Sequence, residues 1–352
     1  MAAKFNFKRI RSLVAIALLL LFMVWGESNL PRYYIKILHF WGIYAVLGVT
    51  LQLIYGYTGQ FSLAHAALVA IGAYTTGLLT LSPETKALSF LLAPPIWPIN
   101  VIEWPLLPAL LLSGFLAALV GIVVGAPALR LRGDYLAIVT LGVSEIIRLL
   151  FCNLPSVCNG AMGLKGIPMR ATLWGTWLVV VVTLFVVRRL VDSNYGRALK
   201  AIREDEIAAE ALGVNLFYHK LLAFVVSAFF VGVAGGLMAQ ILGTIDPSTF
   251  GQVLSYAALT IVILGGVRSL TGTVIAAGVY TISSELLRAV EAPITVFGLD
   301  LPGVPGMRVI FFGVLLLMLI LFYRKGLFGE HELSWGALQS WVRSLRSSRE
   351  RV

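Results

Sequence analysis

The chain has 352 residues, 59% of them hydrophobic and only 12% charged, with a net charge of +10 and a mean hydropathy of +0.91. Soluble domains carry roughly 25% charged residues, so a large water-soluble domain is excluded and a polytopic membrane protein is implied. The apolar runs lack the alternation of a membrane barrel and must be helical, because the bilayer core offers an unpaired backbone amide no partner.

Runs near 17–25 residues fall near 12–26, 36–55, 61–81, 106–125, 136–151, 173–190, 220–242, 253–265, 272–290 and 308–323. The fold class is therefore all-α, with about ten transmembrane helices, in a range of about 8–11. The first run follows Lys8, Arg9 and Arg11, and Gly26-Glu27-Ser28 weakly resembles a cleavage site. It reads as an uncleaved first span, since removing it leaves an odd number. Gly56–Gly59 and Gly265–Gly266 separate neighbouring runs by so little that spans two/three and eight/nine are expected to be broken or re-entrant.

Just after the first of these breaks, Ser62 and His65 share a helix face, where a helix N-terminus could meet a carboxylate. The alternative is structural: Ser62 caps the helix and His65 bonds to a neighbouring helix. Gly121 and Gly125, and later Gly232, Gly235 and Gly236, give small faces for close helix packing. Arg130-Leu131-Arg132-Gly133-Asp134 forms a tight turn. In the fifth run, Thr140 and Glu145 join Ser62 and His65 as polar candidates for a substrate path. Ser144-Glu145-Ile146-Ile147-Arg148 is echoed by Ser284-Glu285-Leu286-Leu287-Arg288 in the ninth run. Each acid can neutralise its own Arg at i, i+3, as an interfacial ion pair or as a flank of the outer mouth. Cys152 and Cys158 are either a local disulfide or two unrelated thiols, for spacing does not fix geometry. The loop from Asn153 to Pro168 reads as an ordered turn.

Asp192 to Lys220 forms a polar island between apolar runs. Its stretch Gly196–Gly213 reads as one short helix, with Ala198, Ala201, Ile202, Asp205, Ala208, Ala209 and Leu212 on a face small enough for close docking. Gly213 is placed to end that helix in a left-handed cap, and Asn215 to begin the next span. The plain alternative is a solvated loop. With the N-terminus inside, most of the 27 basic residues fall on the inner side, as the positive-inside bias requires. The charge thus needs topology and lipid headgroups, not nucleic acid. The organisation expected is a membrane domain over 1–330, with an inner loop over 191–219, and a basic amphipathic tail over 331–352 lying on the inner surface.

Three segments together resemble one family: GYTGQFSLAHAALVAIGAYTTGLL at 56–79, PALRLRGDYLAIVTLGVSEIIRLL at 127–150, and GRALKAIREDEIAAEALGVNLFYHKLLAFVVSAFFVGVAGGL at 196–237. With LGGVRSLTGTVIAAG at 264–278 and YRKGLFG at 323–329, they are similar to the LivM-type permease subunit of branched-chain amino acid ABC transporters. The resemblance implies a LivH-like second permease, two cytoplasmic ATPase subunits and an extracytoplasmic binding protein. It also implies that Ala208-Ala209-Glu210-Ala211-Leu212-Gly213 docks in the ATPase, although Ile207 stands where the family's loop has Glu and Glu206 lies one place earlier. Arg197, Arg203, Glu204, Asp205, Glu206, Ala208, Ala209 and Gly213 are the coupling residues so implied.

Competing functions are disfavoured on chemistry. The chain contains no Gly-Lys dipeptide and hence no phosphate loop to hydrolyse ATP itself. His39, His65, His219 and His331 are dispersed, so no metal or cofactor is expected. An ion-coupled carrier needs acids at mid-membrane, whereas Glu145 and Glu285 each have an Arg of their own. Other cargoes of similar permeases, such as urea, short amides or other amino acids, stay open.

Overall fold

The computed structural model describes residues 17–90, 93–131, 133–291, 294–296, 299–301, 306–322 and 326. The expected surface helix of the tail and the start of the first span lie outside these residues. Helices run in the order α1 (Ala17–Asn29), α2 (Arg32–Leu51), α3 (His65–Thr80), α4 (Pro83–Ser89), α5 (Leu106–Ala128), α6 (Asp134–Cys152), α7 (Pro155–Cys158) and α8 (Leu173–Val191). They continue with α9 (Asn194–Glu204), α10 (Glu206–Ala211), α11 (Leu216–Leu242), α12 (Gln252–Gly265), α13 (Leu270–Glu291) and α14 (Met307–Phe322). Each of the ten expected runs overlaps a helix. Among the described residues seven segments are long and apolar enough to cross a membrane, and α3 with α4, bent by 118°, makes an eighth. The shorter apolar helices α1 and α14 complete the set. This is a polytopic all-α membrane protein.

The bundle is centred on α11, which packs against α2, α3 and α5. Lipid tails supply no hydrophobic drive between helices, so association depends on close van der Waals contact. The sequence provides it where α3 crosses α11: a Cβ on Gly72 would overlap the Gly232 carbonyl, and one on Gly235 would overlap that of Val69. On α5, Gly121 and Gly125 accept Ala228 and Phe224 of α11. The expected glycine faces are thus the seams of the core.

Strands are vestigial. β1 (Leu164–Lys165) pairs antiparallel with β2 (Thr244–Ile245), Leu164 opposite Ile245. β3 (Ile294–Val296) pairs with β4 (Leu299–Leu301). The first ribbon ties the loop after α6 to the end of α11, and Ile167 N–H adds a 2.9 Å bond to the Gly243 carbonyl. Asn159, at φ 62°, donates to the carbonyls of Ser89 (2.9 Å) and Gly163 (2.8 Å), which orders that loop. Cys152 and Cys158 are both free thiols. Cys158 is buried and donates to the Phe151 carbonyl at 3.0 Å.

Candidate functional site

The first site-forming feature is the irregular stretch between the second and third spans; the second span itself, Arg32–Tyr57, is continuous and not broken as expected. After α2 the chain makes a π-helical turn, Gln52–Tyr57, and then runs without helix from Thr58 to Ala64. Irregular backbone at membrane depth survives only where its polar groups find partners in protein. Here they come from hydroxyls. Leu63 N–H donates to Thr140 Oγ1 at 3.0 Å, and its carbonyl accepts from Ser144 Oγ at 3.0 Å and Ser255 Oγ at 2.9 Å. Ser255 Oγ in turn accepts from Ala66 N–H at 3.0 Å. Thr140 and Ser144 lie on successive turns of α6, so the break sits inside the bundle and α3 starts there.

The substrate-path candidates divide on this geometry. Ser62, His65 and Thr140 gather, buried, around the break. Ser62 does not cap α3 as the structural alternative supposed: the N-cap residue is Ala64, without a side-chain cap, and Ser62 Oγ only meets Ala64 N–H at 3.4 Å. Ser255 Oγ, which accepts from Ala66 N–H in the first turn of α3, takes the place of that cap. His65 Nε2 lies 3.4 Å from Thr50 Oγ1 on α2, while its Nδ1 is buried without a hydrogen-bond partner. Gln60, which sequence reading passed over, buries both amide atoms without partners. Its signal was a polar residue beside Gly59 in an apolar frame. Glu145 is apart from this group, half-exposed and bonded to Arg148. The echo pair is also formed: Arg288 Nη1 meets Glu285 Oε1 at 3.3 Å, and Tyr33 Oη donates to the same oxygen at 3.1 Å.

The polar island is two helices, not one. Ser193 caps α9, accepting from Gly196 N–H at 3.5 Å. Asp205 then leaves helical geometry (φ −157°, ψ 114°), and its carboxylate accepts from the N–H groups of Ile207 (2.8 Å) and Ala208 (3.1 Å) to start α10. An Asp that can bond the next turn's amides favours ending one helix and capping another over continuing the first. The single face expected across Gly196–Gly213 is broken there. On α9 the buried residues are Gly196, Leu199 and Ile202. Leu199 enters an apolar cluster with Val49 of α2, Leu53 of the π-turn, Val187 and Val191 of α8, Ala223 of α11 and Leu270 of α13.

On α10 only Ala209 is buried. Ile207 is 71% and Leu212 83% exposed, and Ala208 and Glu210 are exposed too. Gly213, at φ +82°, ends the helix in the expected left-handed cap. Val214 N–H returns to the Ala209 carbonyl at 3.1 Å, and Asn215 Oδ1 accepts from Tyr218 N–H at 3.0 Å to open α11.

Three charged residues of the island are tied to the membrane helices and their turns. Arg203 Nη1 donates to the Gly56 carbonyl at 2.6 Å. Arg268 Nη2 meets Glu204 Oε1 at 2.5 Å. Lys220, buried at the start of α11, meets Glu206 Oε1 at 2.6 Å. Arg197 is exposed and bonded to Asn194. Gly56 belongs to the end of the second span and Arg268 to the turn between α12 and α13, which are two full spans and not the broken or re-entrant element expected at Gly265–Gly266. These two segments meet directly: Gln52 Nε2 donates to the Gly266 carbonyl at 3.0 Å and Tyr57 Oη to that of Arg268 at 3.0 Å. Among the described residues no group of three or more His, Cys, Asp or Glu side chains could hold a metal ion.

Comparison with known proteins agrees with this architecture. Residues 33–321 match the family described as "Branched-chain amino acid transport system / permease component". The chain is 36% identical over 313 residues to the high-affinity branched-chain amino acid transport system permease protein LivM of Escherichia coli, covering 79% of this chain and 69% of the relative. It is 35% identical over 312 residues to LivM of Salmonella typhimurium, with the same coverage. To the permease protein LivH of Escherichia coli it is 26% identical over 272 residues, covering 70% of this chain and 82% of the relative. No solved structure matches. A helical membrane bundle that matches this family over residues 33–321 belongs to the branched-chain amino acid transport system permease family.

Proposed function

We propose that the chain is the non-catalytic permease subunit of an ATP-driven importer of branched-chain amino acids in the bacterial or archaeal inner membrane, with both termini cytoplasmic. It forms half of the translocation path with a LivH-like second permease. Similarity to both LivM and LivH relatives supports a pair of related halves. Two ATPase subunits on the cytoplasmic side and a soluble binding protein outside complete the assembly.

The observation that carries this reading is the connection of α9 and α10 to the end of the second span, the α12–α13 turn and α11. A motor can move membrane helices only through an element rigidly joined to both. The exposed edge of α10, with Ile207, Ala208, Glu210 and Leu212, is the surface offered to the ATPase. Arg203, Glu204 and Glu206 pass its displacement to these three places respectively. Asp205 holds the joint between the two helices. Thr140 supports the irregular stretch that borders the path, Ser62 and His65 lie buried beside it as path residues, and Glu145 lies on the half-exposed face of α6.

The test is co-purification with candidate ATPases, then reconstituted uptake of leucine, isoleucine, valine and urea. ATP-dependent uptake of the three apolar amino acids is expected. Uptake of urea alone would move the cargo to another class, and uptake driven by an ion gradient without ATP would overturn the reading.

A further inference from the structure

We infer that the cavity beneath α9 is a binding site for the phosphate of an anionic phospholipid. The cavity holds about 390 Å³ and lies between the end of α8, the face of α9 and the start of α13. Four basic side chains line it, Arg188, Lys200, Arg203 and Arg268, against two acids, Asp192 and Glu204. The excess of positive charge sits at a wall that also carries apolar Val191 and Leu270, and Lys200 Nζ stands 5.9 Å over the ring of Tyr57. A basic pocket at the ends of membrane helices matches the headgroup of an anionic lipid, each cation adding attraction that zwitterionic lipids do not feel.

The lipid source is favoured over a free anion by what lies beside the pocket. On α8 the large residues Trp174, Leu178, Val182 and Phe185 are exposed, and at their 3- and 4-residue spacing they form one stripe along the helix. That stripe runs into Arg188 and Arg189, the latter held 5.9 Å over Phe185. A phosphate seated between Arg188 and Lys200 therefore has its acyl chains continuing along a surface already built for hydrocarbon. Free phosphate leaves that stripe unused. Because α9 forms one wall, a bound lipid clamps this helix to α8 and α13. The site itself stands on membrane insertion alone, whereas its consequence for coupling rests on the role proposed for α9.

The test uses the full-length chain purified from membranes and placed in nanodiscs of mixed phosphatidylglycerol and phosphatidylcholine, with retained lipids counted by native mass spectrometry. Preferential retention of phosphatidylglycerol is expected, and the double variant Arg188→Gln/Lys200→Gln should lower that preference roughly tenfold. A second measurement guards against misfolding of the variant. A photoreactive phosphatidylglycerol should label the native chain within 185–204, and the matching phosphatidylcholine should not. Equal retention of the two lipids, labelling elsewhere, or a preference that survives in the folded double variant each overturns the site. Displacement of phosphatidylglycerol by inorganic phosphate shows a free-anion site and overturns the lipid assignment. Displacement by added ATPase subunits shows that a protein acid occupies the cavity, with the same consequence. No transport or ATP hydrolysis enters the readout, so its failure is distinct from failure of the importer reading.

Discussion

Lys86 shows how far a single residue can depart from its sequence neighbourhood. In the chain it is one of several scattered cations outside the presumed inner loops, yet it is wholly buried. Its Nζ donates to the Ile99 carbonyl at 2.9 Å and to that of Ile102 at 2.5 Å. Replacing it by Ala strips two half-buried carbonyls of a charged donor, and should lower stability by about 2 kcal/mol, read as a fall in the thermal midpoint in detergent. The cysteines are decided at this scale as well. Burial pushes the Cys158 thiol above its usual range, so it stays protonated, and thus poorly nucleophilic, at neutral pH. Maleimide should therefore modify Cys152 first at pH 7, without prior reduction, and reach Cys158 only at higher pH or after unfolding. Equal labelling of both at neutral pH would contradict this burial. Gln60 and the Nδ1 of His65 were illegible for another reason: a polar residue in the sequence does not say whether the fold will supply its partner.

Among elements, the island repays the closest comparison. Its ends were readable, because a Gly that must adopt positive φ and an Asn before an apolar run are local chemistry. The joint at Asp205 was not, since 3- and 4-residue spacing continues across it unbroken. Asp205→Ala should weaken the cap on α10 and raise amide exchange over 206–211 about fivefold, with exchange in α9 unchanged. Uniform exchange across both helices in the variant would argue against two capped units. Arg203→Glu should replace the bond to Gly56 by repulsion from a carbonyl. ATP hydrolysis should then proceed without matching uptake, while the chain still inserts and assembles. Coupling that survives this reversal removes Arg203 from the transmission path. The glycine seam makes the converse point: Gly72→Leu has no room against Gly232, and overpacking there should abolish stable assembly, seen as loss of a monodisperse peak on gel filtration.

For the whole molecule, positions of the basic residues predict that α10 faces the cytoplasm. A Leu212→Cys variant on a cysteine-free background should react with a membrane-impermeant thiol reagent only when the cytoplasmic side is open. Reaction from outside intact cells would invert the orientation. The sequence by itself determined the class of fold, the approximate positions of the spans, the turns at Gly56–Gly59 and Gly265–Gly266 and the family, because hydropathy, glycine placement and motif spacing are properties of contiguous residues; it did not place the bent pair, which is α3 with α4. Only the tertiary structure decided that the end of the second span bonds to the α12–α13 turn, that three hydroxyls from two distant helices support Leu63, and that Arg203, Glu204 and Glu206 bond to Gly56, Arg268 and Lys220. These are pairings between residues far apart in the chain. Their geometry is set by how closely α11 can approach α3 and α5, a distance that local pattern does not contain.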